Sequence, residues 1–121
     1  MITEGQIVLF RFPQTDLVAG KLRPALLLRR VPSPYGDWLI CMVSSQLPRG
    51  LPGLDEVIQE TDPEFAATGL KTASVIRVTR IAVVAGERLE GRLGHIGPNR
   101  LQGIRKRLAD WIAKGVARPT R

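Results

Sequence analysis

The sequence is poor in the residue types that build covalent or metal-bound frameworks. It has one cysteine and one histidine among 121 residues, so it cannot form an internal disulfide and lacks the ligand spacing of a metal site. We therefore expect no metal and no cofactor. Cys41 lies inside an apolar run at residues 38–43, which predicts a buried, unreactive thiol.

Long apolar runs are also missing. Arg, Pro or Gly recurs throughout the chain, so no run approaches the ~18 residues that a membrane span needs. The N-terminal residues lack the basic stretch and apolar core of a secretory signal. We expect a soluble cytoplasmic protein with one domain over residues 1–121, which ends in a flexible tail from about residue 115.

Acidic residues are outnumbered by basic ones. Eighteen Lys and Arg against eleven Asp and Glu give a formal net charge of +7, and such a field attracts polyanions. The acids gather at residues 55–64, while bases dominate residues 77–107. This balance favours nucleic acid as the substrate, although an acidic protein partner and a solvated surface without a ligand fit the same composition.

The pattern along the chain predicts a mainly β domain with a C-terminal helix. Apolar residues recur at three- and four-residue steps between Leu101 and Ile112, which predicts an amphipathic helix. Pro98 suits its first turn and Gly115 suits a left-handed end. We expect this helix to pack on a sheet of about five to seven strands. Runs typical of strands occur at residues 6–12, 23–30, 38–44, 54–58, 72–77, 79–85 and 87–96.

Polar side chains stand at the ends of several predicted strands. Arg23 begins the second strand, Ser44 and Ser45 end the third, and Arg77 ends a later one. A small barrel brings such ends together at one mouth, and arginines with hydroxyls suit a phosphate site. The alternatives are structural: Arg23 could pair with Asp16, and the serines could end their strand through side-chain bonds.

Five segments in a fixed order resemble the MazF/PemK family of bacterial type II toxins, and together they cover nearly the whole chain. The segments are Gly-Gln-Ile-Val at 5–8, Gly-Lys-Leu-Arg-Pro-Ala-Leu-Leu-Leu at 20–28, Cys-Met-Val-Ser-Ser at 41–45, Gly-Leu-Lys-Thr-Ala-Ser-Val-Ile-Arg at 69–77, and the helix at 101–112. The resemblance implies a small SH3-like β-barrel with a C-terminal helix and a homodimer. It also implies metal-independent, sequence-selective cleavage of single-stranded RNA, and an acidic antitoxin that covers the RNA groove.

The resemblance implies roles for the polar residues at the strand ends. Arg23 matches the arginine of the family's Arg-Pro pair, Ser44 and Ser45 match its hydroxyl pair, and Arg77 matches the arginine that closes a later strand. Metal-free RNA cleavage uses the adjacent 2′-hydroxyl as nucleophile. The protein must then remove its proton, stabilise the phosphorane and assist the leaving 5′-oxygen.

The general base departs from the family pattern. Some members carry Asp two residues after the second arginine, where this chain has Thr79, and a hydroxyl cannot replace a carboxylate in proton transfer. Asp16 is the nearest ionisable candidate, provided that its pKa is raised from about 4. The alternative for Asp16 is a turn residue that bonds its own backbone.

Further substrate contacts are expected in the loops. Exposed aromatic rings stack on unpaired bases, which suits Tyr35 in its proline-rich connector and Phe65 in its acidic loop. The predicted substrate-binding residues are Lys21, Tyr35, Gln46, Arg49, Phe65 and Thr79.

Three functions stay open at this stage. The leading hypothesis is an endoribonuclease toxin, which the arginines and serines in family order favour. A topoisomerase-poisoning toxin of the same fold would need no phosphate-handling residues. A catalytically inactive SH3-like module would bind RNA or an acidic peptide through its basic surface.

Overall fold

The computed structural model describes residues 2–11 and 20–115. Asp16 and the predicted tail beyond residue 115 lie outside the described residues. Among the residues that are described, neither helix is long and apolar enough to cross a membrane.

One antiparallel sheet contains all six strands of the described chain. In chain order the strands are β1 (Gln6–Arg11), β2 (Leu22–Arg30), β3 (Asp37–Ser44), β4 (Glu56–Ile58), β5 (Ser74–Ala85) and β6 (Gly91–His95). Their order across the sheet is β4-β5-β3-β2-β1-β6, and the sheet curls into a half-barrel. The predicted fold class, a small β-barrel of five to seven strands with a C-terminal helix, is confirmed.

The strand bounds refine the sequence prediction. The run at 79–85 could continue the run at 72–77 or pair with it, and it continues it: both belong to the single long strand β5, because Val78 and Thr79 keep an extended backbone between them. The run at 87–96 divides into a 3-10 turn, Gly86–Arg88, and the shorter strand β6. A second 3-10 turn, Leu47–Arg49, follows β3.

Two helices accompany the sheet, α1 (Phe65–Thr68) and α2 (Pro98–Lys114). The predicted C-terminal helix is confirmed, with Pro98 at its first position and Gly115 at a φ of +71° after its last residue. Helix α1 has only four residues, which are too few to show a helical period in the sequence.

Apolar side chains cover both faces of the sheet, as predicted for the central strand β3. Trp38 and Ile40 pack on one face, whereas Cys41 and Val43 face the core beneath α2. Burial strongly raises the pKa of the Cys41 thiol, and the nearby Asp55 carboxylate adds to the effect. The prediction of a buried, unreactive thiol is confirmed.

Helix α2 is held to the sheet by an apolar stripe and by arginines beside it. Leu101, Ile104 and Leu108 are buried in the core. Arg105 donates from Nε to the carbonyl oxygen of Leu28 at 2.9 Å and pairs with the carboxylate of Glu4. The apolar period predicted the buried stripe, and Arg105 fixes the helix against β2.

Candidate active site

The pairing of β2 with β3 brings Arg23 and Ser44 to one end of the sheet. Ala25 pairs with Met42 in this antiparallel ladder, and Arg23 and Ser44 each lie two residues beyond that pair in the same direction. On its other side Arg23 pairs with Phe10 of β1, while Ser44 pairs with Val75 of β5. The backbone register therefore brings these two predicted site residues together.

A cavity of about 360 Å³ opens at this end of the sheet. Its size falls in the range typical of small-molecule and cofactor sites. Both apolar and polar groups line it, so the cavity can exclude water and also bind charge. The polar lining consists of Arg23, Ser44, Ser45, Lys71, Thr72 and Ser74, and the apolar lining includes Leu9, Leu22, Pro24, Val43, Leu70 and Leu93.

Ser44 is held so that its hydroxyl proton can be donated into the cavity. The backbone N–H of Gln46 donates to Ser44 Oγ at 3.0 Å. Because that bond uses a lone pair of the oxygen, the hydroxyl proton stays available for an anionic oxygen. The neighbouring Ser45 is exposed, and its carbonyl oxygen accepts the N–H of Leu47 at 3.1 Å.

Arg23 supplies a permanent positive charge to the same cavity. Within residues 2–11 and 20–115, its guanidinium has no hydrogen-bond or ion-pair partner. A guanidinium stays protonated at any working pH and binds two phosphate oxygens with its planar fork. Lys71 adds a second cation to the lining.

The cavity wall formed by residues 69–72, which includes Lys71, lies unusually close to β6. A Cβ on Gly94 would lie 2.1 Å from the carbonyl oxygen of Ala67, and one on Gly69 would lie 2.1 Å from that of Leu93. Two glycines therefore allow the backbone after α1 to rest against β6. The buried Thr68 then donates to Phe65 O at 2.6 Å and accepts the N–H of Leu70 at 3.1 Å, which fixes the turn into the wall.

Acidic side chains fasten the segment between β4 and β5, which contains this wall. Glu60 Oε1 accepts from the Thr72 hydroxyl at 3.2 Å and from the Ala73 N–H at 3.4 Å. Asp62 accepts the backbone N–H of Glu64 at 2.9 Å and pairs with Arg100 of α2; these contacts lower the pKa of Asp62. The acidic cluster of the sequence thus anchors the segment instead of facing the cavity.

Arg77 is buried away from the cavity. Its side chain is 10% exposed, and its Nε lies 3.4 Å from Asp55, whose side chain is 1% exposed. Asp55 also accepts the N–H groups of Leu51 and Val78, each at 2.8 Å. The pair joins the loop before β4 to the middle of β5, and the phosphate-binding role of Arg77 stays a prediction.

The predicted base-contacting residues are dispersed over the molecule. Tyr35 is 79% exposed in the β2–β3 connector, at the far end of β2 from Arg23, roughly 20 Å away along the strand. Phe65 packs against the core beneath α2. Thr79 follows Arg77 on β5, outside the cavity lining.

The remaining predicted contacts do not line the cavity. Lys21 is exposed and precedes the lining residue Leu22, while Gln46 is exposed and follows Ser45. Arg49 is exposed in the 3-10 turn after β3. The substrate contacts of these three residues stay predictions.

The described lining residues include no carboxylate and no imidazole. Asp16, the predicted base, lies outside the described residues. The three polar residues that sequence reasoning missed, Lys71, Thr72 and Ser74, belong to the segment 69–77 that carries the family resemblance. The available signal was three polar residues at the entry to a buried strand.

Comparisons with known proteins agree with this fold. The family described as PemK-like, MazF-like toxin of type II toxin-antitoxin system matches residues 3–112, and the chain belongs to this family. The Mycobacterium tuberculosis toxin MazF-mt6 superposes with a TM-score of 0.65 at 17% identity, over 89% of this chain and 96% of that chain. An endoribonuclease in complex with its cognate antitoxin, from Mycobacterial species, superposes with a TM-score of 0.63 at 17% identity, over 98% of this chain and 100% of that chain. At this identity the likeness shows a shared fold. No curated protein matches the chain.

Proposed function

We propose that this toxin is an endoribonuclease that cleaves single-stranded RNA at selected sequences, with the 2′-hydroxyl as nucleophile and without a metal ion. The observation that carries the proposal is that Arg23 and Ser44 line one cavity, with a guanidinium and a hydroxyl proton available to an anion. A substrate of this kind is met in the cytoplasm, where we expect the toxin to act.

The two groups would act mainly on the charge that develops at phosphorus. Arg23 binds two non-bridging phosphate oxygens, and the Ser44 hydroxyl donates to one of them. Preorganised donors of this type stabilise the phosphorane more than the starting phosphodiester. Lys71 also lines the cavity, so a second cation can support the charge that develops in the transition state.

The residue that removes the proton is inferred from the sequence alone. Asp16 is the proposed general base for the 2′-hydroxyl, and in the sequence it precedes Arg23 between the end of β1 and the start of β2. A carboxylate suits this role when its surroundings raise its pKa toward the working pH. Asp16→Asn should therefore lower the rate without weakening RNA binding.

A second candidate function is RNA binding without cleavage. The observation that favours it is that the described part of the cavity lining has no carboxylate or imidazole to accept a proton. The same cations would then retain RNA without cleaving it. Cleavage assays beside binding assays on the same preparation separate the two functions.

An acidic antitoxin is the proposed protein partner. The net charge of +7 attracts an acidic, flexible segment, and one structural neighbour was solved with its cognate antitoxin. Such an association weakens as salt screens the charges. Co-purification with the product of an adjacent gene at low and high salt tests this partner, and recovery of no acidic protein at either salt contradicts it.

We also propose a homodimer. Ile112 on the outer face of α2 is 65% exposed, and it borders an apolar groove formed with Leu28, Leu39 and Leu108. Burial of such a surface stabilises an association. Sedimentation of the wild type and of Ile112→Glu measures it: a dimer that the charge dissociates supports the proposal, and a wild-type monomer contradicts it.

The cleavage test uses purified protein, free of antitoxin, with a long single-stranded RNA in EDTA. Arg23→Ala is the test variant, and Arg80→Ala is the matched control because Arg80 is an exposed arginine outside the cavity. We expect discrete cuts that end in 2′,3′-cyclic phosphate, kept by Arg80→Ala and reduced roughly 100-fold or more by Arg23→Ala. Intact RNA would overturn the proposal, and DNA damage in cells with intact RNA would indicate a topoisomerase target.

A further inference from the structure

The hydroxyl protons of Thr72 and Ser74 are both committed to protein acceptors. Thr72 Oγ1 lies 3.2 Å from Glu60 Oε1, and an ionised carboxylate only accepts, so Thr72 is the donor. Ser74 Oγ lies 2.9 Å from the carbonyl oxygen of Thr72, which again only accepts. Each hydroxyl therefore presents lone pairs to any further partner.

Both hydroxyls line the cavity that holds Arg23 and Ser44. Arg23 has only donors, and the Ser44 proton is free because Gln46 N–H occupies a lone pair of its oxygen. The cavity thus has donors at the ends of β2 and β3, whereas the hydroxyls of Thr72 and Ser74, next to the Lys71 ammonium, are acceptors at the entry to β5. An anion suits the first region, and an N–H-bearing edge suits the second.

The acceptor region is fixed in place. Glu60 binds both the Thr72 hydroxyl and the Ala73 N–H. The preceding backbone rests against β6, where Gly69 lies close to Leu93 and Gly94 lies close to Ala67. A hydroxyl with fixed bonds cannot turn to become a donor without losing one of them. Fixed acceptors discriminate between ligands because a wrong partner leaves them unpaired.

Apolar side chains line the same cavity as the acceptors. Leu70 and Leu93 are among them, and apolar lining reduces the access of water to the cavity. A flat ring packs well on such side chains while its edge makes hydrogen bonds. A nucleobase attached to a bound phosphate has this combination of a flat face and a polar edge.

Guanine is the base whose edge fits two acceptors. Its Watson–Crick edge carries two adjacent donors, N1–H and the N2 amine. The amines of adenine and cytosine lie beside a ring acceptor, and the N3–H of uracil lies between two carbonyl oxygens. The hydroxyl oxygens of Thr72 and Ser74 can therefore both accept from guanine. On each of the other three bases, one of these oxygens would face a lone pair that repels it.

We propose that Thr72 and Ser74 determine base specificity and select guanine next to the bound phosphate. This inference rests on the proposed function, because it assumes that the cavity takes a nucleotide of RNA. Paired hydrogen bonds to one base edge discriminate by roughly 10- to 100-fold. Glu60 acts through Thr72 and is a positioning residue.

The test uses ligands that resist cleavage, so that it does not depend on catalysis. The probes are 2′-O-methyl uridine heptamers with one central guanine, inosine, adenine or cytosine, of which inosine lacks only the N2 amine of guanine. The variants are Thr72→Val, which keeps the shape and loses the oxygen, Thr72→Ser, which keeps the hydroxyl, and Ser74→Ala. Thr61→Val is the matched control because Thr61 is exposed and outside the cavity.

We expect the wild type to bind the guanine heptamer at least 10-fold more tightly than the others. Thr72→Val should lose the preference, and Thr72→Ser and Thr61→Val should keep it. Equal affinities in the wild type, or a preference unchanged in both Thr72→Val and Ser74→Ala, would overturn the inference. A preference that Thr72→Val removes in a protein that cuts no RNA supports the inference and refutes the cleavage proposal alone.

Discussion

Arg23 and Ser44 occupy the same end of neighbouring antiparallel strands, and both line one cavity. The start of β2 and the end of β3 meet because the connector between them reverses the chain at the opposite end. A cation and a hydroxyl donor thus converge from segments that are well separated along the sequence.

The two serines should differ in their contribution to cleavage. Ser44 has its oxygen bound by the Gln46 N–H, whereas the exposed Ser45 side chain has no such bond within the described chain. We expect Ser44→Ala to lower kcat roughly 100-fold, as removal of one preorganised donor does, and Ser45→Ala to have the smaller effect. Rates at saturating RNA measure the difference, and equal losses would contradict the assigned geometry.

The Asp55–Arg77 pair should contribute to stability. Both side chains are almost fully buried, and loss of one partner leaves an uncompensated charge, which costs about 3–5 kcal/mol. We expect Asp55→Asn to lower the free energy of unfolding by an amount near this range, as measured by urea denaturation. A stable Arg77→Met variant with impaired cleavage would instead support the catalytic role that the family resemblance implies.

The close approach between β6 and the backbone around α1 can be tested by adding a methyl group at Gly94. A Cβ at Gly94 would meet backbone atoms of Ala67 and Thr68 at 2.1 and 2.6 Å, so we expect Gly94→Ala to cost at least about 1–3 kcal/mol. The control is Gly103→Ala in α2, where the nearest atom is a flexible side-chain end at 3.7 Å. That change should stabilise the protein by about 0.5–1 kcal/mol through helix propensity. A neutral Gly94→Ala would contradict the close approach.

The contact between Glu4 and α2 predicts a pH dependence. Burial opposes ionisation of Glu4, but the Arg30 N–H at 2.9 Å and the Arg105 guanidinium outweigh it, so the pKa of Glu4 lies below its ordinary value. A lowered pKa stabilises the fold above the unfolded value of about 4.3, and this contribution is lost as the pH falls through the lower folded value.

Glu4→Gln measures this contribution. The variant should be less stable than the wild type by roughly 1–2 kcal/mol at pH 7, and the gap should close as the pH falls below about 4. Thermal unfolding from pH 7 to pH 2.5 follows both proteins. A gap that persists at the lowest pH would show that packing, and not charge, accounts for the loss.

The sequence predicted elements well where the information is local. The strand around Trp38 and the helix from Leu101 to Ile112 were recognisable because their apolar periods repeat over several residues. Helix α1 was missed because it is a single turn. The sequence left open whether the run at 79–85 continues the run at 72–77 or pairs with it, because polar residues interrupt their pattern.

The candidate site was only partly predictable. Arg23 and Ser44 were found because they stand at strand ends in family order. The burial of Arg77 depends on Asp55, which lies in the distant loop before β4. The Thr72 hydroxyl is left as an acceptor because its proton binds Glu60. Contacts of this kind follow from the register and the tertiary packing, which no local pattern encodes.

The most direct test of one phosphate site is a double-mutant cycle on RNA cleavage with Arg23→Ala, Ser44→Ala and the combined variant. Residues that stabilise the same transition state act as a unit, so their losses are far from additive. We predict that the double variant loses little more activity than the worse single variant. Losses that simply multiply, with each variant folded by thermal melting, would show that Arg23 and Ser44 act at separate places and would contradict the account.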